Sequence, residues 1–131
     1  MKKLFTLLFF VSFFYSSAQH WKTVTPFNNA NVIRDMETTP NGTTYVVADL
    51  PSRFYKTTDG GETWRQVLYR DENSGAIDLT VDATNPRILY ATTWEAHRSF
   101  SEISSGGAGS AVYRSKDGGE TWEDITNKPG L

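Results

Sequence analysis

Two aspartates stand in one repeated setting: Asp59 within Thr57-Thr58-Asp59-Gly60-Gly61-Glu62-Thr63-Trp64, and Asp117 within Ser115-Lys116-Asp117-Gly118-Gly119-Glu120-Thr121-Trp122. An Asp-Gly-Gly run invites a calcium reading, but a calcium loop needs side-chain oxygen ligands recurring at alternating positions, and the paired glycines here supply none. The chemistry that fits is a turn, in which the carboxylate bonds the amides that follow it and glycine takes positive φ. Trp64 and Trp122 have rings able to stack on a sugar, yet their fixed place after each turn reads as packing between strands. Asp59, Gly61, Thr63 and Trp64, with their counterparts Asp117, Gly119, Thr121 and Trp122, are therefore read as structural. No metal site is expected.

A different chemistry gathers beside Trp94, in Glu95-Ala96-His97-Arg98-Ser99-Phe100-Ser101-Glu102-Ile103-Ser104-Ser105-Gly106-Gly107-Ala108-Gly109-Ser110. Connections longer than about 12 to 15 residues are uncommon and are often functional. Trp94, His97, Arg98 and Phe100 are the candidate ligand contacts: an aromatic stacks on a sugar face or fills a peptide pocket, and Arg pairs with a carboxylate. The competing reading is a packing or linker loop with a flexible Gly/Ser tail. Ser105 to Ser110 lacks the following helix that a phosphate-binding loop requires. The chain has no Gly-x-Ser-x-Gly elbow, no His-Glu-x-x-His and no cysteine for a thiolate or zinc site. No cofactor is expected. Asn41-Gly42-Thr43 matches a glycosylation sequon in form, but Asn-Gly between two strands reads first as a tight turn.

The elements that position these residues follow from the repeat. Trp21-Lys22-Thr23-Val24, Trp64-Arg65-Gln66-Val67 and Trp122-Glu123-Asp124-Ile125 share Trp-x-x-[Val/Ile], with the tryptophans 43 and 58 residues apart. Tyr45 to Tyr55 spans 10 residues and the equivalent Tyr90 to Tyr113 spans 23, so nearly all the excess lies in the insertion. Runs rich in β-branched and aromatic residues predict first strands at Val32 to Met36 and Ile77 to Val81, and second strands at Thr43 to Ala48 and Ile88 to Thr93. Around Asp-Gly-Gly, Phe54 to Thr57 and Thr63 to Leu68 form a hairpin whose return strand begins near the Trp. Four short strands per unit of about 43 residues is propeller-blade spacing. The expectation is an all-β propeller of four-stranded antiparallel blades, with blades at about 27–68 and 76–126 plus a Trp21 strand. Propellers close with about four to eight blades, so 19–131 is read as the N-terminal part of a propeller, a fragment whose remaining blades belong to the full-length chain.

The pattern [Ser/Thr]-x-Asp-x-Gly-x-Thr-Trp resembles the Asp-box, or bacterial neuraminidase (BNR) repeat, of sialidases, xyloglucanase-like propeller glycoside hydrolases and sortilin/Vps10 domains. The run Val81-Asp82-Ala83-Thr84-Asn85-Pro86-Arg87-Ile88-Leu89-Tyr90-Ala91, then Trp94 and Ser104 to Ser110, is similar to the sortilin-type propellers of large secreted bacterial proteins. The resemblance covers residues 20 to 131 and implies a scaffold more than an activity. In such blades the Asp-box turns join strands 3 and 4, opposite the end that carries the insertion, and ligands of the related hydrolases bind on the insertion's side. Asp49, ending a second strand on that side, has a place similar to that of a catalytic Asp in the xyloglucanase-like enzymes. Leu50-Pro51-Ser52-Arg53 stands where those enzymes have Gly-Gly, and the second carboxylate that glycoside hydrolysis needs would lie beyond Leu131. Glu95 and Glu102 are alternatives, each equally readable as a solvated loop charge. The Arg-Ile-Pro type motif expected of a sialidase is absent from Ile33-Arg34-Asp35.

Met1-Lys2-Lys3, an apolar run from Leu4 to Tyr15 and Ser16-Ser17-Ala18 read as a signal peptide over 1–18, cleaved before Gln19. The run is shorter than the roughly 20 apolar residues of a membrane span. A secreted or periplasmic protein with no span after cleavage is expected, and without cysteine its stability rests on burial and strand pairing. Loss of Lys2 and Lys3 leaves 11 basic and 15 acidic residues, a net charge of −4. That balance gives no electrostatic footprint for nucleic acid. The functional expectation is a module binding an extracellular glycan or polypeptide, with a glycoside hydrolase and a purely structural propeller module as the alternatives.

Overall fold

The structure, a computed structural model, describes residues 27, 32–49 and 53–129. The leader (1–18) and Trp21 lie outside these residues, as does the side chain of Asp49. The described residues form nine strands and no helix.

In the first sheet β1 (Val32–Thr38), β2 (Thr44–Asp49), β3 (Arg53–Thr57) and β4 (Arg65–Leu68) pair in sequence order, all antiparallel. In the second, β5 (Ser74–Val81), β6 (Leu89–Arg98), β8 (Ala111–Ser115) and β9 (Glu123–Asp124) repeat that order, while β7 (Ile103–Ser105) pairs with the far half of β6. These are two four-stranded antiparallel blades of a β-propeller. Gly42, at φ 85°, closes the β1–β2 turn with its amide donating to the Thr39 carbonyl at 2.9 Å. Asp82 closes the β5–β6 turn by accepting the Thr84 amide at 2.7 Å.

Three expectations change. The second sheet begins at Ser74 rather than Ile77, because Asp71 accepts the Asn73 and Ser74 amides and starts the strand directly from the inter-blade connection. Both return strands begin one residue after the Trp, which belongs to the turn. The insertion is no irregular loop: β6 continues to Arg98 and folds back as β7, with Ala96, His97 and Arg98 opposite Ser105, Ser104 and Ile103.

The core lies between the two sheets. Tyr45, Val47 and Phe54 of the first meet Ala76, Leu79, Leu89, Ala91, Ala111 and Tyr113 of the second. β2 is buried on both faces, which is why it reads Tyr-Val-Val-Ala rather than alternating. Phe27 packs edge-on against Tyr55 and Trp64, with centroids 5.1 Å from each. A bulge between Ile33 and Asp35 re-aims β1 so that the Asp35 carboxylate accepts the Leu79 amide of β5 at 3.2 Å. At the turn end, the Gly118 carbonyl accepts from Tyr45 Oη (2.9 Å) and Lys56 Nζ (2.8 Å), fastening the second blade's turn to the first blade.

Candidate functional site

Antiparallel order places the β1–β2, β3–β4, β5–β6 and β8–β9 turns at one end of the sheets and the β6–β7 arm at the other. At the turn end each Asp-box is a closed hydrogen-bond knot. Thr57 Oγ1 donates to Asp59 Oδ1 (2.7 Å) and accepts the Gly61 amide (3.0 Å), while the Asp59 carboxylate accepts the Thr63 amide (2.9 Å) and hydroxyl. Ser115, Asp117, Gly119 and Thr121 repeat the pattern, with the Gly119 amide 2.8 Å from Ser115 Oγ and the Thr121 amide 2.9 Å from Asp117 Oδ1. These donors hold both carboxyls well below the ordinary range, the Thr63 or Thr121 hydroxyl contributing most and its amide next. Gly119, at φ 81°, leaves room for Tyr45, which a Cβ there would approach to 3.3 Å. Trp64 Nε1 donates to the Gly61 carbonyl at 3.1 Å, and the Trp122 ring lies 6.5 Å from Phe54. Among the described residues no group of three or more His, Cys, Asp and Glu is placed to hold a metal ion.

At the other end the arm distributes the four candidate contacts. Residues two apart share a strand face, so Trp94 and Arg98 lie on one side of β6, with Ile103 and Ser105 beside them on β7. Trp94 Nε1 donates to Ser105 Oγ at 3.0 Å, which fixes the indole while leaving it 40% exposed, and Ile103, opposite Arg98 farther along the arm, is 77% exposed. His97 lies on the opposite face, Nε2 3.2 Å from Glu95 Oε1. Phe100 stands fully exposed at the tip. Trp94 and Arg98 thus share one face of the arm, about 13 Å apart along β6, and His97 lies on the other face.

The Gly/Ser tail is not a flexible linker, because Glu95 organises it. The Glu95 carboxylate accepts the Gly109 amide at 2.6 Å, its carbonyl accepts the Gly106 amide at 3.0 Å, and its amide donates to Ser110 Oγ at 2.9 Å. Thr93 Oγ1 donates to the Gly109 carbonyl at 2.7 Å, and Arg70 reaches the Ala108 carbonyl at 3.2 Å from the inter-blade connection. The Gly109 amide, then His97, holds the Glu95 carboxyl below its usual range. Glu102 lies exposed before β7, its amide accepted by Ser99 Oγ at 3.0 Å. Asp49 ends β2 opposite Val32.

Lys56, Arg65 and Glu120 were not among the sequence candidates. Register sets Lys56 directly opposite Arg65, and Glu120 Oε1 of the next blade accepts from both, at 2.8 and 2.7 Å. The signal available in the sequence was the basic residue preceding each box and the basic residue following the first Trp, two like charges that hairpin register brings face to face.

The sortilin family profile (Sortilin-Vps10; sortilin, neurotensin receptor 3) matches residues 11–130. A protein of Hypocrea jecorina (strain QM6a) described as a xyloglucanase is 31% identical over 105 residues, which cover 79% of this chain. The matched region is 11% of that protein's length.

Proposed function

Because the chain belongs to the Sortilin-Vps10 family, we propose that it is an exported propeller module that binds an extracellular glycan or polypeptide through the β6–β7 arm. The observation that carries this reading is the one face of the arm along which exposed Trp94, Arg98 and Ile103 are spread, on a hairpin whose base is tied down by Glu95. A rigid aromatic presented to solvent loses little entropy on binding, and a guanidinium farther along the same face supplies a directional donor for sugar hydroxyls or a peptide carboxylate. Phe100 extends the apolar contact at the tip.

Glycoside hydrolysis is the second reading, favoured by the likeness to a protein described as a xyloglucanase. It gives Asp49 the catalytic carboxylate and requires a partner carboxylate from blades outside this chain. A structural module of a larger exported protein is the third, with the remaining blades as its only partners.

Xyloglucan oligosaccharide is the probe for the first two, followed by tryptophan fluorescence and by release of reducing ends. Binding that weakens about tenfold or more in Trp94→Ala and Phe100→Ala, without reducing-end release, supports the binding module. Reducing-end release by the longer parent protein, abolished in Asp49→Asn with binding retained, favours the hydrolase. Export is tested separately: expression with residues 1–18 in a secreting bacterial host should yield a product beginning at Gln19 by mass spectrometry, and an exported product retaining Met1 would refute the leader.

A further inference from the structure

A cavity of about 320 Å3 opens at the turn end, remote from the arm, lined by Lys56, Thr57, Thr58, Thr63, Arg65 and Glu120. Its charge is set by strand register. Lys56 and Arg65 face each other across β3 and β4, an arrangement that is unfavourable unless an anion lies between them. Glu120 supplies one carboxylate, and a single oxygen of it serves both cations. Lys56 and Arg65 line the cavity with Glu120, and the Asp59 carboxylate stands directly behind the lining Thr57 and Thr63, whose hydroxyls it accepts.

Donor capacity also exceeds what the protein uses. An ammonium has three N–H donors and a guanidinium five. Among the described residues the Lys56 ammonium donates to Glu120 Oε1 and to the Gly118 carbonyl, and it is nearly buried. Among the described residues the Arg65 guanidinium donates to Glu120 alone, and it is 56% exposed. Thr63 Oγ1 gives its proton to Asp59 and is left an acceptor, Thr58 is exposed on the rim, and the second Glu120 oxygen is a further acceptor. Among the described residues no aromatic ring lines the cavity, so they give a neutral sugar no stacking platform there.

We propose that this cavity is a second binding site, one for a uronic acid unit of an acidic glycan. The carboxylate of such a unit pairs with the planar fork of the half-exposed Arg65 guanidinium. Its ring hydroxyls meet the threonine oxygens and the free oxygen of Glu120. A doubly charged phosphate would crowd the Glu120 and Asp59 carboxylates. The volume is at the low end of the roughly 300 to 1,000 Å3 typical of small-molecule sites and suits one sugar unit. The site is independent of the arm, so either assignment can fail while the other stands.

The test uses the full chain, 15N-labelled, titrated with methyl glucuronide, methyl glucoside and inorganic phosphate while amide shifts are followed. The expected result is saturable shifts at Thr58, Thr63 and Arg65 with the glucuronide and none with the neutral glucoside. Arg65→Gln should weaken binding on the order of tenfold. Glu120→Gln, which removes the competing carboxylate, should tighten it. The amide spectrum of each variant reports folding independently, and Thr58→Val, on the exposed rim, serves if Glu120→Gln perturbs the blade interface. The assignment is overturned if the glucuronide gives no saturable shift, if the glucoside or phosphate binds as well, or if Arg65→Gln leaves affinity unchanged.

Discussion

An aspartate whose carboxylate accepts an amide and a hydroxyl from a residue four positions on is a fastener for its own turn, and protonation undoes it. Asp59 and Asp117 both do this, and both are held below the ordinary carboxylate range. A folded pKa below the unfolded one contributes stability that is complete above the unfolded value and is lost as pH falls through the folded one. Asp117→Asn should therefore lower the melting temperature by several degrees at pH 7, and the gap from the parent should shrink as pH drops below about 4. Glu123 behaves alike: Lys128, then Arg114, moves its carboxyl from 4.5 down to about 2. Its contribution is present above pH 4.5 and disappears towards pH 2. Thermal melts at stepped pH check both statements. A gap between parent and Asp117→Asn that stays constant from pH 7 to pH 2 would remove the turn carboxylate from any role in stability.

The arm shows what a short sequence pattern can and cannot carry. The blade strands were legible because Thr-Tyr-Val-Val-Ala and Arg-Phe-Tyr-Lys-Thr combine β-propensity with flanking turn residues, and the Asp-box repeat fixed both hairpins. Glu-Ala-His-Arg and Ile-Ser-Ser have weak strand preference, so the β6–β7 pairing, which depends on neighbours across the hairpin, was hidden. The Gly/Ser tail read as a linker because composition does not reveal that Glu95 gathers its amides. The face carrying Trp94 and Arg98 was legible as a set of side chains, but its division from His97 follows only from strand register. If Glu95 is the anchor, replacing residues 97–105 by a two-residue turn while keeping Glu95 and Gly106 to Ser110 should leave the melting temperature nearly unchanged, since loop length costs little entropy. That same deletion should abolish arm-mediated binding. Gly109→Ala should do the reverse damage, because a Cβ there would stand 2.9 Å from the Ser74 side chain and 3.0 Å from the Asp71 carboxylate. Hydrogen exchange at the amides of residues 106 to 109 distinguishes the two variants: protection retained in the deletion and lost in Gly109→Ala. Equal loss in both would mean that β7, rather than Glu95, orders the tail.

At the scale of the whole molecule, the two blades share one core instead of owning one each. Phe54 from β3 and Leu79 from β5 are both almost fully buried, in a cluster that spans the sheets. The second blade's turn is fastened to the first through Tyr45, Lys56 and Arg65. Each blade is thus half of its neighbour's hydrophobic environment, and the two should unfold as one unit, with fluorescence and circular dichroism melting together. Phe54→Ala should cost about 3 to 5 kcal/mol and Leu79→Ala about 2 to 5 kcal/mol, the transfer and cavity terms of buried side chains. Tyr45→Phe, which removes only the hydroxyl bond to the Gly118 carbonyl, should cost about 0.5 to 1.5 kcal/mol. Because Phe54 and Leu79 line one cluster from opposite sheets, their double mutant should depart from additivity by about 0.5 to 3 kcal/mol. Denaturant titration of the two single variants and the double variant measures that coupling. Additive losses, or a melt that splits into two transitions in Phe54→Ala, would mean that the blades are separate folding units touching at a surface, and the shared core would then contribute packing without cooperativity.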